Sequence, residues 1–428
     1  MTISIWQGLK PAKRSTRVAG LAVAASLMLT LGACAADPAP APTASEPIKV
    51  GVLASRSGVY SAYGLGAEAG IKLVVDDINA NGGIASLGGA QIELVIADTA
   101  SDPATAASEA RRLIDQENVS VILGPSTTPE AQAVVAVTEK EGVPTVGLET
   151  TSVWGDNYFH IVSVLAASLG KSYAEFVDFI NTTTDEDIKD IVITFPQNDY
   201  GQQNADAAAE TATDLGYNVL EVIAVDPKIE DYTPTLLKIR DLDPDAVISI
   251  LYSRDGPLFH DARYSLGYND PIFVCGVGGC DSQAIWDGLD PAVAKATLAN
   301  RMFSESLLNP AADLPGLQKL LADAEGVVDV PLDQHFVIGA QGARVVQAVL
   351  EAAASSDREV INDSFEKVDI PAGSDYHYMP GAVDGIKFKH GSIVGAKAMF
   401  NQWTTDGKLQ LVWPEDVATD KPITEPRP

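Results

Sequence analysis

The sequence predicts an α/β protein built from two doubly wound, Rossmann-like lobes. Three observations lead there. Short β-branched apolar runs alternate with helical segments, and the alternation restarts midway along the chain. About 380 residues follow an N-terminal leader, enough for two cores rather than one. Hydrophobic residues make up 46% of the 428 but aromatics only 7%, which describes an Ala/Val/Ile-rich fold and excludes a disordered chain.

The first run, "IKVGVL" from Ile48, reads as a buried parallel strand. The helix "GLGAEAGIKLVVDDINANGG" follows, with Ala67, Ile71, Val74 and Ile78 on one apolar face. Asn81-Gly82-Gly83 stops it, because these residues accept left-handed backbone. Strand "QIELVIAD" leads to a helix with Asp102 as N-cap and Pro103 at its first position. Strand "VSVILGP", helix "TPEAQAVVAVTEKEG" and strand "VPTVGL" continue the repeat. After "NYFHIVS" the pattern begins again with helix "LAASLGKSYAEFVDFI" and strand "DIVITF". It proceeds through "GQQNADAAAETATDLG", "NVLEVIAV", "TPTLLKIRDL", "DAVISIL", "GPLFHDARYSLG" and "PIFVCG". A strong helix, "FVIGAQGARVVQAVLEAAASS", lies in a remainder too short for a third domain, so that remainder completes the first two. The expected boundaries are lobe 1 at 48–160 plus about 305–380, and lobe 2 at 161–304 plus about 381–420.

Ahead of the fold, residues 1–33 carry Lys10, Lys13, Arg14 and Arg17 and no acid, then the apolar run Val18–Leu31. That is a secretory signal, too short to favour a membrane span. Leu31-Gly32-Ala33-Cys34 resembles the bacterial lipobox, which implies acylation of Cys34 and a lipid anchor; cleavage near "ACA-A" with Cys34 incidental is the blander alternative. Residues 34–47 then form a solvated tether. Removing the leader's four basic residues from 29 Lys and Arg leaves 25 against 58 Asp and Glu, a net charge of −33. Such a surface repels nucleic acid. Cys275 and Cys280 in "VCGVGGC" are placed by three glycines within reach of a disulfide, the alternatives being free thiols or a metal pair.

In open α/β sheets, ligands bind beyond the carboxyl ends of the strands. The loops there, "ASRSGVYSAYG", "GPSTTPE", "GLETTSVW", "PQNDYG", "LYSRDG" and "CGVGGCD", are rich in hydroxyls and open helices, so they suit small polar groups. "IKVGVLASRSGVYSAYG", "DINANGGI", "VILGPSTT" and "NDYGQ" resemble the branched-chain amino acid (leucine/isoleucine/valine) binding proteins, the type I solute-binding family of ATP-driven importers, with amide- and urea-binding relatives. The resemblance implies two lobes joined by a three-strand hinge that close on a small-molecule ligand. It also implies ABC permease and ATPase partners, membrane attachment through the lipid, an exported monomer, and no cofactor, metal or catalysis.

Carried over by position, the resemblance makes Tyr63 and Tyr200 aromatic walls and gives Ser126, Thr127 and Thr128 to the ligand carboxylate. Glu149 and Thr151 match a second carboxylate-binding turn, and Tyr252 and Phe336 match further wall positions. Two departures bear on the ligand. Val277 stands near the expected ammonium-binding acid, with Asp281 a few residues on, and Glu149 stands where the family has a small residue. Glu149 either faces outward or would repel a ligand carboxylate. Amides, urea, aromatic acids and polyamines are therefore ligand alternatives to amino acids. A sensor subunit and a dehydrogenase are the rival functions. "YGLGAEAG" does not directly follow a strand as a dinucleotide loop should, and the five histidines form no spaced metal cluster.

Overall fold

The computed structural model describes residues 46–150, 157–276, 278–299, 301–415 and 417–425. Cys34, Thr151 and Val277, singled out in the sequence, lie outside the described residues.

The first half runs β1 (Ile48–Ala54), α1 (Ser61–Ala80), β2 (Ile92–Asp98), α2 (Pro103–Asp115), β3 (Val121–Leu123), α3 (Thr128–Glu141), β4 (Thr145–Gly147) and β5 (Phe159–Ile161). The second runs α4 (Ala166–Thr183), β6 (Asp190–Pro196), α5 (Asp199–Asp214), β7 (Asn218–Val225), α6 (Thr233–Leu242), β8 (Ala246–Ser249), α7 (Asp255–Leu266) and β9 (Ile272–Cys275). Then come α8 (Gln283–Gly288), α9 (Pro291–Thr297), β10 (Met302–Ser306), α10 (Pro315–Ala324), α11 (Gln334–Ala353) and α12 (Arg358–Asn362). Five short strands close the chain: β11 (Asp369–Ile370), β12 (Ile386–Lys389), β13 (Ser392–Ile393), β14 (Met399–Trp403) and β15 (Leu409–Trp413).

Among the described residues these strands form two sheets, ordered β11-β12-β13-β5-β4-β3-β1-β2 and β15-β14-β10-β9-β8-β6-β7. Pairing is parallel through β1–β5 and β6–β10; the late strands pair antiparallel except where β13 joins β5 in parallel. The predicted α/β class and doubly wound order are both present. Asp102 caps α2 by accepting from the Thr105 N–H, and Pro103 holds its first position. Gly82 and Gly83 take left-handed backbone after α1.

The chain crosses between sheets at 162–165, 307–333 and 394–398. The last crossing comes later than the expected break near 381. The segment "IKFKHGSI" turns at His390 and Gly391, both with positive φ, and returns as β12–β13 to the edge of the first sheet.

Each sheet is covered on both faces. In the first lobe α1 and α11 pack so closely that a Cβ on Gly70 would meet the Phe336 carbonyl oxygen at 2.1 Å. A Cβ on Gly339 would meet that of Ala67 at 2.2 Å. Opposite, α2 and α3 bury Ala106, Ala110, Leu113, Val134 and Val137. In the second lobe Gly170 lets α4 approach α5 at Asn204 in the same way. The fully buried Arg263 on α7 stacks over Phe273 at 3.7 Å and donates to Thr297 O and Asn269 Oδ1. Cys275 and Cys280 are joined across the glycine-rich turn that follows β9, with Cα atoms 6.2 Å apart.

Gly70→Ala places its methyl against backbone, which cannot give way as a flexible side chain can. It should destabilise the protein by about 1–3 kcal/mol, read as a lower denaturant midpoint at unchanged slope. Gly288→Ala, with open space around it, is the control and should be neutral or slightly stabilising.

Candidate functional site

Both sheets reverse strand order where a ligand site forms, between β1 and β3 in the first lobe and between β6 and β8 in the second. The loops beyond these four strand ends face one another. Tyr63 sits in the first turn of α1 because that helix begins at Ser61, three residues earlier than the periodicity suggested. Ser126–Thr128 follow β3, Leu148–Thr150 follow β4, Tyr200 opens α5, and Tyr252 follows β8.

Together with Gln334, His335 and Ile338 of α11, these residues line one cavity of about 30 Å³, room for roughly two water molecules. The structure therefore brings Tyr63, Ser126, Thr127, Thr128, Glu149, Tyr200 and Tyr252 together. Phe336 does not line it. At 100° per residue, positions 334, 335 and 338 cluster on one side of α11, while 336 points the opposite way into the packing against α1.

The lobes are closed on this cavity. The Ser253 N–H of the second lobe donates to Tyr63 Oη of the first at 2.8 Å. Gln132 on α3 also donates to Asp199 at the start of α5. Tyr252 packs 6.2 Å from Tyr63 and 5.5 Å from Tyr200, ring centre to ring centre. Its hydroxyl accepts from Asn198 Nδ2 at 3.0 Å, and the same Asn198 caps α5 through Gly201 N–H. Tyr63 stacks on His335 at 3.9 Å, and burial drives the imidazole down to about 3, so it is neutral.

One residue that the motif reading missed organises the first-lobe side. Glu130 is buried and accepts from Ser55 Oγ at 2.9 Å, Thr99 Oγ1 at 2.5 Å and Thr127 Oγ1 at 2.5 Å. These three hydroxyls come from the loops after β1, β2 and β3. The signal was in the sequence as Thr127-x-x-Glu130, the capping-box spacing at a helix start. Thr127 is thus engaged with Glu130, whereas Ser126 Oγ is buried without a hydrogen-bond partner.

Glu149 faces inward. It is 3% exposed and lines the cavity, and neither of its oxygens has a side-chain hydrogen-bond partner among the described residues. Burial raises its acid to about 8; the charge of Glu130 adds to this, and the backbone amides of Glu149 and Leu148 oppose it. Asp281, beyond the disulfide turn, is likewise raised by burial, to about 7, and belongs to a neighbouring cavity with Asp333 and Ser306.

Two lobes, three crossings and a closed cleft at paired switch points describe a protein that encloses a small molecule. The family described as Periplasmic binding protein matches residues 47–407. The chain belongs to that family. Among similar proteins, Leu/Ile/Val-binding protein homolog 7 of Brucella suis is 27% identical over 401 residues, 92% of this chain and 97% of its own length. The leucine-binding protein LivK of Thermotoga maritima superposes with a TM-score of 0.72 at 21% identity, over 86% of this chain and 99% of its own. A solute-binding protein from R. palustris in complex with 4-hydroxybenzoate gives 0.68 at 19%, over 87% and 94%. The protein is thus a periplasmic solute-binding protein and not an enzyme. It works outside the cytoplasmic membrane, and among the described residues no helix is long and apolar enough to cross one.

Removing the Glu130 carboxylate takes a shared acceptor from three buried hydroxyls, leaving Thr99 and Ser55 only each other. Glu130→Ala should cost about 1–3 kcal/mol, measured by equilibrium unfolding. Glu130→Gln, which keeps one acceptor oxygen, should lose less.

Proposed function

We propose that this chain is the lipid-anchored receptor of an ABC importer. It closes its lobes on a small polar solute, an amino acid or a related compound, and delivers that solute to a permease. The observation that carries this reading is the convergence of hydroxyls and tyrosines from both lobes on one cavity. In that cavity the buried Ser126 hydroxyl lacks a hydrogen-bond partner, so a solute has a polar group to meet on the first-lobe side of the cleft. Thr128, at the start of α3, would offer its hydroxyl beside it. The cavity of about 30 Å³ is smaller than an amino acid, so entry requires the hinge to open.

The lipidation reading rests on Leu31-Gly32-Ala33-Cys34 and the Pro/Ala tether behind it. Two or three acyl chains anchor firmly where one does not, at about 0.8 kcal/mol per buried CH₂.

A thermal-shift screen across amino acids, amides, aromatic acids and amines identifies the solute class. A ligand at 100 times its dissociation constant should add about 2.7 kcal/mol of stability. Against that ligand, Thr128→Ala should weaken binding about ten- to a hundred-fold, by loss of a hydrogen bond to a charged group. Tyr200→Ala should weaken it as well, by removing wall from the closed state. Calorimetric affinities unchanged in both variants would place the solute elsewhere.

Cys34→Ala should shift the protein from the membrane fraction to the soluble one, or leave its precursor unprocessed. Fractionation and maturation identical to the parent would contradict the anchor.

A further inference from the structure

Glu149 gives the cavity a carboxylate that no cationic side chain among the described residues lining it balances. Its housing is built into the fold. A Cβ on Gly147 of β4 would lie 2.7 Å from Glu149 Oε1 and 2.8 Å from the Phe159 ring, so the glycine makes the space in which the carboxylate sits. Among the described residues lining the cavity there is no Lys or Arg. The titratable groups turned towards Glu149 are Glu130 from α3, His335 from α11, and the phenols of Tyr63, Tyr200 and Tyr252. None of these brings a positive charge, since His335 is held neutral by burial.

An ionised carboxylate buried without a partner is strongly unfavourable, so it either keeps its proton or waits for a positive group. A solute that itself brings a carboxylate supplies the wrong sign in a low-dielectric space. Tyr63, Tyr200 and Tyr252 bring aromatic rings to the same cavity, surroundings in which ammonium and guanidinium groups are favoured.

We propose that Glu149 selects a small organic cation, an amine or guanidine whose positive group meets its carboxylate among the rings of Tyr63, Tyr200 and Tyr252. This rests on the cleft being the solute site. Because burial holds the empty-site acid near 8, a cation binding at pH 7 must displace a proton from Glu149. The sign follows: proton release on binding makes affinity rise with pH, by up to about ten-fold per unit, until about pH 8, and level beyond.

The test is calorimetry on the full chain with putrescine, methylguanidine and tetramethylammonium, beside isoleucine, 4-hydroxybenzoate and acetamide. A cation should bind, release close to one proton as read from buffers of differing ionisation heat, and gain affinity from pH 6 to 8. Glu149→Gln should lower that affinity about ten- to a hundred-fold and abolish the proton release. The proton count on the parent protein stands independently if the variant folds poorly. Failure of all three cations to bind overturns the proposal. So does binding of isoleucine or 4-hydroxybenzoate that Glu149→Gln leaves unchanged or tightens, or binding of acetamide with no proton released. Tyr200→Ala separates the two levels of inference. Binding weakened by Tyr200→Ala but indifferent to Glu149→Gln keeps the cleft and rejects the cation. Binding indifferent to both rejects the cleft itself.

Discussion

A single buried carboxylate fixes the geometry of the first-lobe half of the cleft. Glu130 draws the Ser55, Thr99 and Thr127 hydroxyls to one point, so the loops leaving three adjacent parallel strands are tied at their carboxyl ends. The constraint spreads outward from there. A Cβ on Gly64 would come within 2.4 Å of the Ser55 backbone, so the first turn of α1, which carries Tyr63, rests directly on a residue that Glu130 holds. Thr127, engaged by the same carboxylate, opens α3 and sets the position of Ser126 and Thr128. The charge on Glu130 also helps to raise the acid of Glu149. A hydrogen-bonded charge of this kind is worth more than a neutral contact because its acceptors are strong and its surroundings exclude water.

The second lobe reaches the same end by a different device. Asn198 caps α5 with its oxygen and holds the Tyr252 hydroxyl with its nitrogen, so one side chain locates both Tyr200 and Tyr252. The disulfide Cys275–Cys280 closes the next loop, whose Gly278 sits against Ser253, the residue that reaches across to Tyr63. Each lobe thus presents an aromatic and polar face held in place by its own hydrogen bonds, and three chain crossings join the two.

Burial decides the electrostatics of that interface. Glu149, Asp281 and Asp333 all lie near it, and burial raises each of them, to about 8, 7 and 6. Asp333 is the best provided for, because it caps α11 through the His335 and Phe336 amides. The chain is strongly acidic overall, yet this property of the surface does not explain these groups. They are acids that lie out of water in this closed structure, and burial favours their protonated forms.

The alternation of strand and helix, and with it the α/β class, is written in local pattern. Apolar periodicity, Asp102-Pro103 at one helix start and Asn81-Gly82-Gly83 at a helix end are local signals, read without knowing any distant neighbour. Local pattern also marks which loops to inspect, since residues at the carboxyl ends of parallel strands share one edge wherever the sheet closes. Glu130 was legible in principle, because Thr127 stands three residues before it. Tertiary structure alone decided the rest. The late strands β11–β15 are short pieces that gain meaning only by adding to sheets built much earlier in the chain. Phe336 and His335 are neighbours of similar appeal, and only the packing of α11 on α1 sent the phenyl ring into the core and the imidazole to the cavity. The direction of Glu149 was open for the same reason. A side chain after a strand can turn either way, and it is the space left by Gly147 beside Phe159 that turned this one inward.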